Sequence, residues 1–81
     1  MFYVYFLKSS KNGKHYTGVT SKNPKERLVE HNEGSNIFTR YNGPFELIYS
    51  EQYLDKTFAY KREGYLKTGK GRNFLKKFIP L

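Results

Sequence analysis

No cysteine and no tryptophan occur in this chain of 81 residues. Without thiols there is no disulfide framework and no cysteine-ligated zinc site, and the expected setting is the cytoplasm. Long apolar runs are missing as well. The opening MFYVYFLKSS carries a six-residue apolar run, FYVYFL. That is too short for a leader with its flanks and far too short to span a bilayer, so no membrane association is expected. Acid is scarce: seven Asp and Glu stand against fifteen Lys and Arg, a net charge of +8. A single domain of this size has a marginal core and must use bulky side chains well. Eight Tyr and seven Phe supply them.

The charge is unevenly placed. Residues 56 to 77 hold eight Lys or Arg and one carboxylate, Glu63. Such polarisation points to a polyanionic partner, nucleic acid first of all. Lys61, Arg62, Lys67, Lys70 and Arg72 are the expected contacts to its backbone. On a merely solvated face the same excess would serve only solubility.

Periodicity and turn signals predict the elements. FYVYFL is aromatic and β-branched, a strand buried on both faces. SSKNGK turns at Asn12-Gly13, and HYTGVT returns. SKNPKERLVEHNEG reads as a helix with Asn23 as cap, Pro24 at its first position, Glu26 completing a capping box and Gly34 as the left-handed stop. Residues 35 to 44 read as a polar loop, and FELIYSEQY as a third strand. Asp55 caps a second long helix reaching about Thr68, broken by Gly69 and Gly71, and RNFLKKF forms a short last helix. The predicted order is β-β-α-β-α-α: one α+β domain over residues 1–81, a small sheet flanked by helices.

Several side chains could do chemistry. A two-residue turn would set Lys11 opposite Lys14 and Tyr5 opposite Thr20. Tyr5, Tyr16 and the side-chain-free Gly18 then share one face, and a loop changed by two residues keeps that parity. Glycine within a strand often marks a close approach. Arg27 and His31, at i,i+4, share a helix edge, where a guanidinium suits a phosphate and an imidazole can shuttle a proton. On the second long helix Phe58, Ala59, Tyr65 and Leu66 make the expected apolar face, with Glu63 at its margin. A carboxylate there suits Mg²⁺ or Mn²⁺ shared with a substrate phosphate, or an ion pair with Lys67 or Arg27.

The order of these residues resembles a known family. YVY at 3–5 and YTG at 16–18, followed by Arg27, His31 and Glu63, are similar to the pattern of the GIY-YIG nuclease superfamily. The chain looks most like its stand-alone, single-domain members, those related to the nuclease module of the DNA-repair excinuclease. The resemblance implies a three-stranded antiparallel sheet with the first strand central, and metal-dependent hydrolysis of DNA in repair or recombination. It makes Tyr5 and Tyr16 the paired tyrosines, one of which helps activate water. Arg27 becomes the contact to the scissile phosphate, His31 occupies a position held by His or Tyr, and Glu63 binds one divalent cation, Mg²⁺ or Mn²⁺. Asn73 is the candidate for a late phosphate-contacting Asn, although it follows Glu63 by only ten residues. Tyr3 stands where the name has Gly, and Thr17 fills the centre of the second tripeptide. A non-catalytic nucleic-acid-binding module on the same fold is the competing expectation. RNA as substrate, a protein partner and a homodimer stay open, as does the choice of tyrosine.

Overall fold

Strand β1 (Phe2–Ser9) is apolar on both sides, and it becomes the middle of the sheet. The computed structural model describes residues 1–79. β2 (His15–Thr20) and β3 (Phe45–Tyr53) flank β1, both antiparallel, in the order β2-β1-β3. Val4 to Leu7 are all buried, and alternation sends them to two different cores. Val4 and Phe6 pack with Ala59, Leu66 and Leu75 from α3 (Lys56–Leu66) and α4 (Gly69–Lys76). Tyr5 and Leu7 face the other way, against Phe45, with Leu28 of α1 (Pro24–Asn32) and Phe38 of α2 (Ile37–Asn42). Helices therefore cover both faces of a three-stranded sheet, with the predicted first strand central. No helix among the described residues is long and apolar enough to cross a membrane.

Local signals mostly act as the sequence predicts. Asn23 accepts the Lys25 N–H at 2.9 Å, and Asp55 accepts the Thr57 N–H at 2.7 Å. Gly34 ends α1 at φ +87°. Four details differ. The hairpin leaves the ladder earlier, because the buried Ser9 hydroxyl accepts the N–H groups of Lys11 and Asn12 at 3.0 and 3.1 Å. Tyr5 thus pairs with Gly18, not Thr20, and Tyr16 with Leu7; the two-residue shift preserves the shared face. The segment expected as a loop contains α2, an extra short helix capped by Asn36, whose side chain accepts the Thr39 N–H at 2.8 Å.

The third difference is that α3 stops at Leu66. The Thr68 hydroxyl donates to the Tyr65 carbonyl at 2.6 Å and accepts from the Gly71 N–H at 3.2 Å, ending one helix and starting the next. Gly69 and Gly71 therefore lie inside the first turn of α4. Lastly, only Ala59 and Leu66 of the expected apolar face are buried; Phe58 and Tyr65 are exposed.

Candidate active site

The face of the sheet under α1 and α2 gathers three of the predicted polar side chains. Tyr5 is 1 % exposed on the central strand, and His31 from α1 is 0 % exposed. The Tyr5 hydroxyl lies 2.8 Å from His31 Nε2. Tyr16, half-buried, sets its ring 6.1 Å from that of Tyr5 and 4.8 Å from that of His31. Gly18 makes the arrangement possible. A Cβ there would lie 2.5 Å from the Tyr5 hydroxyl oxygen and 2.7 Å from its ring carbon, closer than such atoms approach.

The unexpected helix α2 completes the cluster. The Thr39 hydroxyl donates to Asn36 Oδ1 at 3.0 Å, which leaves its oxygen to accept from His31 Nδ1–H at 3.2 Å. His31 Nε2 is then the acceptor for the Tyr5 hydroxyl. Asn36 Nδ2 donates to the Tyr16 hydroxyl at 3.4 Å. Both tyrosines thus hang on one chain of hydrogen bonds through His31, Thr39 and Asn36. Sequence reasoning missed Thr39 and Asn36. Asn36 was the available signal, because asparagine is a preferred helix N-cap and here accepts the Thr39 N–H three residues on.

These surroundings set the protonation states. Burial, then the neighbouring Tyr16 phenol, pushes the Tyr5 hydroxyl above the ordinary tyrosine range, with Arg27 opposing. Burial, then the Arg27 charge, lowers His31 from 6.5 to about 4. His31 is therefore a neutral, buried partner of Tyr5 at neutral pH. The depressed value has a consequence for stability. Between about pH 6.5 and 4 the unfolded chain binds a proton that folded His31 refuses, so stability falls as pH drops through that window. The loss is expected to reach roughly 3 kcal/mol. Urea unfolding followed from pH 7.5 to 4 should show it, and His31→Gln should flatten most of that slope; an unchanged slope would refute the assignment.

Arg27 sits at the rim of this cluster. Its Nη1 donates to Glu30 Oε1 at 2.8 Å and to Ser35 Oγ at 3.3 Å. Glu30 also pairs with Lys22, and Lys22 first, then Arg27, holds its carboxyl below the usual range. The guanidinium also lies within reach of the Tyr5 hydroxyl, and the side chain is part-exposed. Glu63 is elsewhere. It lies on α3, over the opposite face of the sheet, largely buried, with Lys67 Nζ at 3.7 Å as its ion-pair partner.

Glu63 stands alone as a metal candidate: no group of three or more His, Cys, Asp or Glu able to hold a metal exists among the described residues. One carboxylate fits a magnesium-type ion that keeps most of its water and shares its shell with a phosphate. It does not fit a closed protein cage.

The basic helices divide on inspection. Arg62 is committed internally: its Nε and Nη2 donate to Glu51 at 2.8 and 2.9 Å, and its guanidinium lies over Phe74. Burial alone would raise the Glu51 carboxyl, but the bonds from Arg62, Tyr49 and Tyr53 outweigh it and hold it low. This part-buried network ties α3 to β3 and commits two of the three Arg62 guanidinium nitrogens to Glu51. Lys61, Lys67, Lys70, Arg72 and Asn73 are all exposed on α3, α4 and their link.

A model of the GIY-YIG catalytic domain matches residues 1–77. Among curated proteins, a UPF0213 protein of Clostridium perfringens is 43% identical over 68 residues, 83% of this chain and 71% of its own length. A UPF0213 protein of Staphylococcus epidermidis is 39% identical over 67 residues, 82% of this chain and 79% of its own. One from Staphylococcus saprophyticus is 37% identical over the same shares. No solved structure matches the chain.

Proposed function

This chain belongs to the GIY-YIG family of nuclease domains, and on that premise we propose that it is a metal-dependent endonuclease hydrolysing DNA phosphodiester bonds, with branched or interrupted DNA of repair or recombination as its setting. The observation that supports this reading best is the convergence of Tyr5, Tyr16 and His31 on one face, with Arg27 at its rim. Tyr5 keeps its proton and donates it in a hydrogen bond to His31, whose imidazole burial and the Arg27 charge hold neutral. Tyr16 is the more open of the pair, and the Asn36 amide that donates to its oxygen fixes where the hydroxyl points. Tyr16 therefore orients the attacking water and takes its proton, while Tyr5 fixes the geometry. Arg27, anchored through Nη1 on Glu30, offers the rest of its fork to the phosphate, where charge grows during attack. Glu63 would hold Mg²⁺ or Mn²⁺, which supplies polarisation of the phosphate and neutralises the leaving oxygen.

The second reading, a nucleic-acid-binding module without cleavage, draws on one observation: α3, the helix that carries Glu63, packs on the sheet face opposite the one that holds Tyr5. One experiment separates the two. Labelled linear, nicked and branched DNA, and RNA of the same sequence, are incubated with Mg²⁺, with Mn²⁺ and with EDTA. Cleavage that requires the ion is expected on at least one DNA. Arg27→Lys, which keeps the charge but not the fork, should bind within a few-fold and cleave on the order of a hundredfold more slowly. Absence of cleavage on every substrate with either ion would select the binding module.

A further inference from the structure

Along the outer edge of β2 runs a groove of about 550 Å³. Among the described residues β2 pairs only with β1, so its outer backbone edge is left without a strand partner there. The floor is apolar, with Phe6 and Leu75 from the core and Phe38 from α2. Over it stand four cations, Lys14, Lys67, Arg72 and Lys76, and no carboxylate lines it among the described residues. The exposed His15 packs its ring 4.9 Å from that of Phe6. Tyr16 lies on the same wall, between this groove and the buried tyrosine cluster.

The two halves of this lining ask for different parts of one ligand. The cations ask for phosphates. A concave apolar floor with imidazole and phenyl rings gives nothing to the backbone of a continuous duplex, whose bases are stacked inside. It does suit a base that has left the helix, because aromatic rings stack on any unpaired base. The free β2 edge can hydrogen-bond such a base in passing. We infer that this groove binds an unpaired strand of nucleic acid, seating a base against His15 and Phe38 and its flanking phosphates on Lys14, Arg72 and Lys76. The substrate class follows: a fork or flap, whose single strand enters past Tyr16, is preferred to a continuous duplex. This rests on the nuclease reading only for what happens next at Tyr16; the binding stands without it.

The test is therefore made without metal, so that no cleavage is read. Fluorescence anisotropy in EDTA compares three labelled DNAs of one length: a blunt duplex, a forked duplex and a single strand. The fork and the single strand should bind on the order of tenfold more tightly than the blunt duplex. His15→Ala and Lys14→Ala, both at exposed positions of the groove, should remove most of that preference while changing blunt-duplex affinity less than about threefold. Equal affinity for fork and blunt duplex would overturn the proposal. So would a preference that survives both variants, which would leave the groove to an extended peptide along the β2 edge. Loss of the nuclease reading looks different: the fork preference would persist while cleavage is absent with every ion.

Discussion

Glu63→Gln is expected to lose metal-dependent cleavage by at least about a hundredfold while the fold and DNA binding survive. The amide keeps the shape of the carboxylate and removes the charge that a hard divalent cation requires. The alternative role is visible in the structure: Glu63 lies 3.7 Å from Lys67 one turn away, an i,i+4 pair whose lysine is well exposed. Magnitudes separate the two. Such a pair contributes about 0.3–0.5 kcal/mol, so its loss should barely move a melting curve and should not touch the chemistry. Removing a negative charge from this strongly basic stretch should also leave DNA affinity in EDTA equal or slightly higher. Cleavage in Mn²⁺, affinity in EDTA and thermal unfolding, measured on one preparation, decide it. Wild-type cleavage in the variant would reduce Glu63 to an ion-pair partner.

The second large effect concerns stability. In most exposed helix positions Gly→Ala stabilises, by up to about 1 kcal/mol. At Gly71 the sign should reverse. A Cβ there would lie 2.1 Å from the Tyr65 carbonyl oxygen and 2.4 Å from the Leu66 Cα. These are backbone atoms at the end of α3 and cannot swing aside. The helix α4 would have to lift away, drawing Leu75, 1 % exposed, out of its contact with Phe6 and Leu66. Overpacking alone costs about 1–3 kcal/mol, and the partial loss of a core leucine adds to it. Gly71→Ala should therefore lose at least roughly 3 kcal/mol, a large share of the roughly 5–15 kcal/mol typical of a folded domain. Gly64→Ala is the internal control, since nothing among the described residues lies within 4 Å of a Cβ at that helix position, and it should gain stability. Denaturant melts in which both alanines shift the midpoint the same way would refute the close-packing account.

The elements that the sequence made legible are those with strong local grammar. Pro24 and Gly34 bracket α1, Asp55 opens α3, and the aromatic FYVYFL becomes the central strand. Helix α2 was hidden because six residues, IFTRYN, carry too little periodicity; it exists through the Asn36 cap and the burial of Thr39 against His31. The hairpin register turned on a serine hydroxyl, which no pattern of polarity reveals. Charge counting enlisted Arg62 for DNA because its partner, Glu51, lies eleven residues earlier on another element. The candidate site was legible as a set of residue types. The inward turn of His31 was not, because i,i+4 spacing places two side chains on one edge without saying how deep that edge lies.

The clearance at Gly18 reaches beyond this one molecule. The Tyr5 ring occupies the volume that any side chain at residue 18 would need, and its ring carbon collides as its hydroxyl does, so trimming Tyr5 to Phe would not make room. In a diverging lineage the order of substitution is thereby constrained: the ring at 5 must shrink before residue 18 can grow. A copy of the domain that abandons its chemistry would be free to take that path, first at 5 and then at 18. A side chain at residue 18 would then record that the tyrosine had already been given up.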